Sequence, residues 1–347
     1  MIKKIQQDFS YYSHEFKDNY RKGVHRLRTI LASRAQAQAF VSNAGGTAVV
    51  LGYEPETPDK NAQELYALLA ASPYIDDAVQ TFLGSIYEAG AESQDAMYSD
   101  SARCLEILHD PVMSRAAGAG TVSAGKWIAT LAGQSCNLYR DMNAVAASDI
   151  AMTAVAASET AMEAVISGTI ALNAVAASKT AMTAVAANET AMAAVAASRV
   201  AMSAIIGNST ALNAVVTSSV AMAAIIGNST ALNAVVSSST AMAAVAASST
   251  ALSAIAASTT ALDALYAKKK RMSGASASLS GKFIILQISN DNAFDTSRYG
   301  YATLSDGSKP KWDSYKDKYA YFKQYKKIAT YMKNDTDSND WIDYFQC

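Results

Sequence analysis

The chain has 347 residues, half of them apolar, enough material for two or three domains with a buried core. Its formal net charge of −1 gives the whole molecule no electrostatic pull toward nucleic acid. Three widely spaced cysteines, Cys104, Cys136 and Cys347, form no CxxC or Cys/His ligand cluster and no disulfide framework, so they read as free thiols of a reducing cytoplasm.

The amino terminus carries Lys3 and Lys4 but no apolar h-region, so the chain is expected to be made in a cytoplasm without a secretion signal. No apolar run exceeds seven residues, against the ~20 needed to span a bilayer, so membrane insertion is not expected. The first forty residues are basic and amphipathic. Lys17, Arg21, Lys22, Arg26 and Arg28 alternate with Tyr20, Val24 and Leu27, which predicts helices with either a solvated or a partner-facing basic side. Residues 1–113 are expected to be a mostly helical amino-terminal domain, its 62–110 stretch an irregular version of the repeat array at 141–267. Residues 114–140 are expected to be a short β linker or cap. Here Arg115 to Ala119 with Gly125-Lys126-Trp127-Ile128 aligns without gaps to Arg271 to Ala275 with Gly281-Lys282-Phe283-Ile284, each leading into a strand-like run.

From residue 141 to 267 the sequence repeats every ten residues. Writing Ala151 to Thr160 as positions 1 to 10, position 1 is Ala, position 2 Met or Leu, position 4 Ala and position 5 Val or Ile. Position 8 is Ser, Asn or Gly and position 10 is β-branched. Asp149, Glu159, Glu163, Lys179, Glu189, Arg199 and Asp263 all fall at position 3 or 9, so those columns face water, because an uncompensated buried charge is costly. At about 100° per residue the Ala, Met/Leu and Val/Ile positions share one arc and the polar positions the other. That describes an amphipathic helix of two turns, stopped and restarted at position 8.

The preferred architecture is a slender solenoid of short helical units. Two others fit the period: an overwound coiled coil of three chains, and a parallel β-solenoid with five-residue sides. Where position 6 is Ile (Ile166, Ile206, Ile226) a glycine comes within the next two residues (Gly168, Gly207, Gly227), which suggests tight stacking at those points.

Residues 268–347 change character and are expected to be a β-containing, Tyr-rich domain opening on a strand at Phe283 to Ile288. It holds 14 Lys/Arg against 9 Asp/Glu, too acid-interrupted a balance for a nucleic-acid reader. Tyr299, Tyr301, Trp312, Tyr315 and Trp341 are the candidate contacts for a partner or receptor, since such rings stack while their polar rims hydrogen-bond. Asp335 to Asp340 opens like an EF-hand loop, yet Asp340 stands where the loop needs Gly and Gln346 where it needs Glu, so no metal site is expected. His14, His25 and His109 are scattered. There is no P-loop, nucleophile elbow or dinucleotide fingerprint, so neither an enzyme nor a cofactor is expected.

Decads such as Ala241 to Thr250 resemble the TAM-x-AVAAS repeats of tailed-bacteriophage tail fibre and virion structural proteins. The Ser-Gly-Lys-aromatic strand entry at Ser280 to Phe283 is similar to the segment that succeeds such repeats in those proteins. The resemblance covers residues 141–290 at most and carries no functional residues. It implies a structural tail or tail-fibre component, assembled in the host cytoplasm into the virion tail. The amino-terminal domain would attach to the particle, the repeat would act as a rigid spacer, and the aromatic end would meet a host surface glycan or protein. Expected partners are other tail proteins and further copies of the chain, as a trimer. Two other classes are a receptor-binding adhesin and a cellular protein-interaction solenoid. A binding wall would keep one chemistry along each outward column, whereas positions 3 and 9 drift among Asn, Thr, Glu, Ala and Ser.

Overall fold

The computed structural model describes residues 2–17, 20–52, 60–87, 94–274, 277–289, 300–312, 318–334 and 340–347. Among them are 24 α-helices and one six-stranded antiparallel sheet. The chain divides into two compact units, Met1–Val185 and Ala186–Cys347.

The first unit is helical throughout. It opens with α1 (Ile2–Lys17), α2 (Tyr20–Ala32), α3 (Arg34–Val41), α4 (Ala44–Leu51) and α5 (Lys60–Ala70). It continues with α6 (Ile75–Ile86), α7 (Gln94–Tyr98), α8 (Ser101–His109), α9 (Pro111–Ala117) and α10 (Thr121–Leu131). The basic side of α2 is solvated: Arg21, Lys22, Arg26 and Arg28 are exposed, while Val24 and Leu27 are buried beside Phe16. The decads then begin with α11 (Met142–Ala147), α12 (Asp149–Ala157), α13 (Glu159–Ser167), α14 (Thr169–Ala177) and α15 (Lys179–Ala187).

The expected β cap at 114–140 is not found: Gly125-Lys126-Trp127-Ile128 and Ala129 to Leu131 lie inside α10. The two echoed segments diverge because their neighbours differ. The carboxy-terminal copy runs on into Phe-Ile-Ile-Leu-Gln-Ile, whereas the good helix formers Ala124, Lys126, Ala129 and Leu131 stand around Trp127. Trp127 is fully buried and its indole N–H donates to the Cys104 carbonyl at 3.0 Å. Lys126 is nearly buried and ion-paired with Asp95. No side chain of α10 itself caps its first turn; Asp76 on α6 accepts from Val122 N and Ser123 N instead, at 3.1 and 2.9 Å. Burial nonetheless pushes the Asp76 carboxyl up from its ordinary range.

From α12 to α22 each decad is one nine-residue helix and one corner residue; α11 at the start and α23 at the end are shorter. In Asn188, Ser198, Asn208, Ser218, Asn228, Ser238, Ser248 and Ser258 the backbone is extended, with φ between −123° and −97°. The side-chain oxygen of that one residue accepts from the position-1 N–H of the next helix, as in Ala191 N to Asn188 (2.9 Å) and Ala241 N to Ser238 (3.1 Å). Its own N–H closes the preceding helix, as in Ser238 N to the Val235 carbonyl (3.1 Å). The helices joined at Ser158, Ser178, Ser198, Ser218 and Ser238 bend by 93° to 100° across those corners, which folds the chain back on itself within a few units.

In the first unit α11 accordingly packs on α14. The second unit contains α16 (Glu189–Ala197), α17 (Arg199–Gly207), α18 (Ser209–Thr217), α19 (Ser219–Gly227), α20 (Ser229–Ser237), α21 (Ser239–Ala247), α22 (Ser249–Ala257) and α23 (Thr259–Tyr266). There α16 packs on α19, α17 on α20, α18 on α21, α19 on α22 and α20 on α23. Positions 1, 2 and 5 are buried in every described decad, Met152, Met192 and Leu232 among them, and positions 3, 7 and 9 are exposed. These nine-residue helices with sharp corners are neither the continuous helix of a coiled coil nor the sides of a β-solenoid.

Some corner serines also bridge to the helix three units earlier. Ser178 Oγ donates to the Ala146 carbonyl and Ser248 Oγ to the Val216 carbonyl, each at 2.5 Å, and Ser218 bonds Ala186 in the same way. The glycine and Ile pairing has a different cause from the tight stacking expected. A Cβ at Gly207 or Gly227 would meet open space, and Ile206 and Ile226 are only partly buried. Only Gly168 is crowded, with Ala164 O at 3.3 Å and Gly118 Cα at 3.8 Å from its would-be Cβ.

The second unit ends in a sheet of order β1-β6-β2-β5-β3-β4. Its strands are β1 (Lys270–Ser273), β2 (Ala277–Ser289), β3 (Gly300–Leu304), β4 (Lys311–Trp312), β5 (Ala329–Asn334) and β6 (Trp341–Gln346); α24 (Ala320–Tyr325) packs against β2. The long β2 pairs with β5 through Ala277 to Phe283 and with β6 through Phe283 to Ser289. Phe283, Ile285, Ile288, Ala302, Leu304, Met332 and Ile342 form its core, with Tyr321 of α24 packed among them.

Substitutions at three positions test this packing. A Cβ on Gly125 would lie 2.4 Å from Asp141 C and Met142 N, backbone atoms at the start of α11. Gly125→Ala is therefore expected to cost about 3 kcal/mol, read as a lowered urea midpoint, although Ala is the better helix former. Ser248→Ala removes both an N-cap and the bridge to Val216 and should cost about 1–2 kcal/mol. Ser248→Asn keeps the cap and should recover part of that loss. Ser253→Ala on the exposed column should stay within about 0.5 kcal/mol of the unsubstituted chain.

Candidate functional site

Of the five candidate contact residues, Tyr301, Trp312 and Trp341 are described and stand on three different strands, β3, β4 and β6. Tyr299 and Tyr315 lie outside the described residues. Trp312 stands on β4, its backbone paired with Gly300. Tyr301 on β3 is half-buried, its ring 5.7 Å from that of Tyr331 on β5. Trp341 begins β6, separated from β3 by β2 and β5 in the sheet order. It also lies at the other end of β2: Tyr301 connects through Lys333 to Ser278, whereas Trp341 faces Ser289. Of the acidic stretch 335–340 only Asp340 is described, and it is buried.

Trp341 belongs instead to an ionic stack where the last decad meets the sheet. The Arg271 guanidinium lies 3.7 Å from its ring centroid and donates to both Asp343 oxygens, at 2.6 and 2.9 Å. Asp343 is fully buried, so without this fork its charge would be stranded in the sheet. The Tyr266 hydroxyl, from the end of α23, is 3.3 Å from Asp343 and 3.1 Å from Gln287. A side chain of the final helix is thereby pinned to β2 and β6.

Cations gather on the pinned ring. The Lys269 ammonium is 3.7 Å and the Lys318 ammonium 4.3 Å from the Tyr266 centroid. Tyr319 meets Tyr266 edge-on at 5.9 Å, and its hydroxyl donates to Asp263 at 2.5 Å. Burial, with the Asp263 bond next, holds the Tyr319 hydroxyl well above its ordinary pKa. Lys323 lies 5.9 Å from the Tyr319 ring. Lys268 and Lys270 turn to neutral partners, Ser237 and Gln346. The signal in the sequence was the unbroken run Lys268 to Arg271 directly after an aromatic at position 6 of the last decad; Lys318 and Lys323 join it only through the fold.

No protein-family model and no curated protein matches the chain. Its site chemistry rests on the residues alone.

Elsewhere the concavities are less specific. In the first unit an open cavity of about 530 Å³ is lined by Tyr66, Ala70, Arg115, Gly118 and Gly168 among others. Arg115 is engaged there, donating to the Leu51 carbonyl at 2.7 Å, while the Tyr66 hydroxyl donates to the Arg115 carbonyl at 3.1 Å. Burial pushes the Cys104 and Cys347 thiols up to about 12, which keeps them protonated and poorly nucleophilic at neutral pH. Among the described residues no group of three His, Cys, Asp or Glu side chains is placed to hold a metal ion, and no helix is long and apolar enough to cross a membrane.

Arg271→Met should strand the Asp343 carboxylate. With Arg271 itself half exposed and Lys269 at 3.9 Å from Asp343, the expected loss is about 2–3 kcal/mol. The double variant Arg271→Met/Asp343→Leu should recover most of it. Urea unfolding curves that leave the single variant at the original midpoint would show that the stack does not fasten the sheet to α23.

Proposed function

We propose that this chain is a structural component of a phage tail or tail fibre, with the decads of each unit winding as a solenoid, three helices to the turn. The decads serve as a rigid spacer between an amino-terminal end that attaches to the particle and a carboxy-terminal end that meets a partner. The chain is assembled in the host cytoplasm with other tail proteins and with copies of itself.

The observation that carries this reading is the uniform corner. In the second unit one capping Ser or Asn every ten positions gives the helices the same start and the same finish, and α16 to α20 each meet the helix three units on. Such an array is stiff because each unit buries its apolar columns on its neighbours. Its outward columns behave as a spacer's would. Grouped by stacked helices in the second unit, position 3 reads Ala193, Ala223, Ser253 on one side and Asn213, Ala243 on another, with no single chemistry maintained. The resemblance of the decads to phage tail repeats supplies the setting. A receptor-binding role for the carboxy-terminal part is favoured as a second reading by the cations gathered on Tyr266.

The test is location. Particles released from cells carrying the gene are purified and probed with antibody against the repeat, and labelled particles are imaged. Label along the tail is expected; recovery of the chain only with the cell fraction would remove the proposal. Truncation at residue 290 is a poor test of the receptor role, because it deletes β3 to β6 and with them Asp343. Point substitutions on the exposed lysines avoid that damage.

A further inference from the structure

Six cations lie along the junction of α23 and the sheet: Lys268 to Arg271 follow one another in sequence, Lys318 and Lys323 come beside Lys269 through Tyr266 and Tyr319, and Lys268 and Lys270 reach outward to Ser237 and Gln346. Among the described residues two carboxylates lie with them, and both are engaged, Asp343 by Arg271 and Asp263 by the Tyr319 hydroxyl. Counted over those described side chains, six cations against two carboxylates leave an excess of four positive charges, in a chain whose total is −1. Lys268, Lys270, Lys318 and Lys323 are exposed, so water and salt keep the repulsion tolerable, but the like charges persist until an anion arrives.

We propose that this cluster binds an anionic polysaccharide, a polymer whose sugars carry sulfate, phosphate or carboxylate groups. This deepens the second reading above and rests on it for biological meaning. The ligand class is set by what the cluster offers and lacks. The one guanidinium fork is committed to Asp343, which leaves only ammonium groups, strong point charges without directional preference. Single-stranded nucleic acid needs open aromatic planes for its bases. Here Tyr266 is flanked by Lys269 and Lys318, Tyr319 meets it edge-on, and Trp341 lies under Arg271. A sugar polymer asks instead for separated cations beside neutral hydrogen-bonding groups, as Lys268 stands beside Ser237 and Lys270 beside Gln346.

The full-length chain is titrated with heparin as the sulfated probe, dextran as the neutral one, and a single-stranded polynucleotide, across a salt range of roughly 50 to 300 mM. Lys318→Ala/Lys323→Ala removes two charges from the cluster. Lys309→Ala/Lys326→Asn removes two from exposed sites on the same domain. Heparin is expected to bind and dextran not. The cluster variant should bind at least about tenfold more weakly at low salt, with the salt slope reduced by between one and two, while the control variant stays within about threefold. Melting curves of both variants establish that each is folded.

Absence of heparin binding at the lowest salt, equal losses in the two variants, or tighter binding of the polynucleotide would each overturn the proposal. The purified chain is assayed without any particle, so this result and the location of the chain in a virion are decided separately.

Discussion

The repeat depends on one residue doing two jobs. A helix end leaves backbone N–H and C=O groups without partners, and a chain that ends a helix every ten residues creates that difficulty at every unit. Position 8 resolves it within a single residue. Its backbone N–H goes back to the helix it closes, its side-chain oxygen goes forward to the helix it opens, and the extended backbone between them turns the chain by nearly a right angle. Ser and Asn satisfy both demands because each places an oxygen one or two bonds from Cβ. The buried Ala, Met/Leu and Val/Ile columns then have a fixed direction in which to pack.

Much of this was legible in the sequence, because the information is local and repeated. Charges confined to positions 3 and 9 gave the wet side, the Ser/Asn column gave the breaks, and the wheel gave the buried face. Where signals were few or long-range, legibility failed. The segment around Trp127 shares its spacing with the one around Phe283, yet Trp127 sits in a helix, since Ala129 and Leu131 interrupt what beyond Phe283 is a continuous Ile-Ile-Leu-Gln-Ile run. Gly207 and Gly227 looked like packing glycines and face open space. A size correlation along the chain does not reveal which side of a helix has a neighbour.

The carboxy-terminal part shows the same limit at the level of a site. Choosing Tyr and Trp residues by type gathered positions that the strand order β1-β6-β2-β5-β3-β4 then spread across the sheet. What converges is chemically different: a buried carboxylate, the arginine that balances it, a tyrosine pinned between strand and helix, and lysines left over. Only the first four of those six cations are neighbours in sequence. Asp343 does not stand out in a string of acids, because burial, not composition, gives it its importance.

A corner confined to one residue also makes length an adjustable quantity. Within the second unit each helix from α16 to α20 meets the third one along through the same columns, so a unit gained or lost would leave its neighbours the same surfaces to rest on. Length in such an array is set by a count of units, with the joints on either side of an added one left as they were.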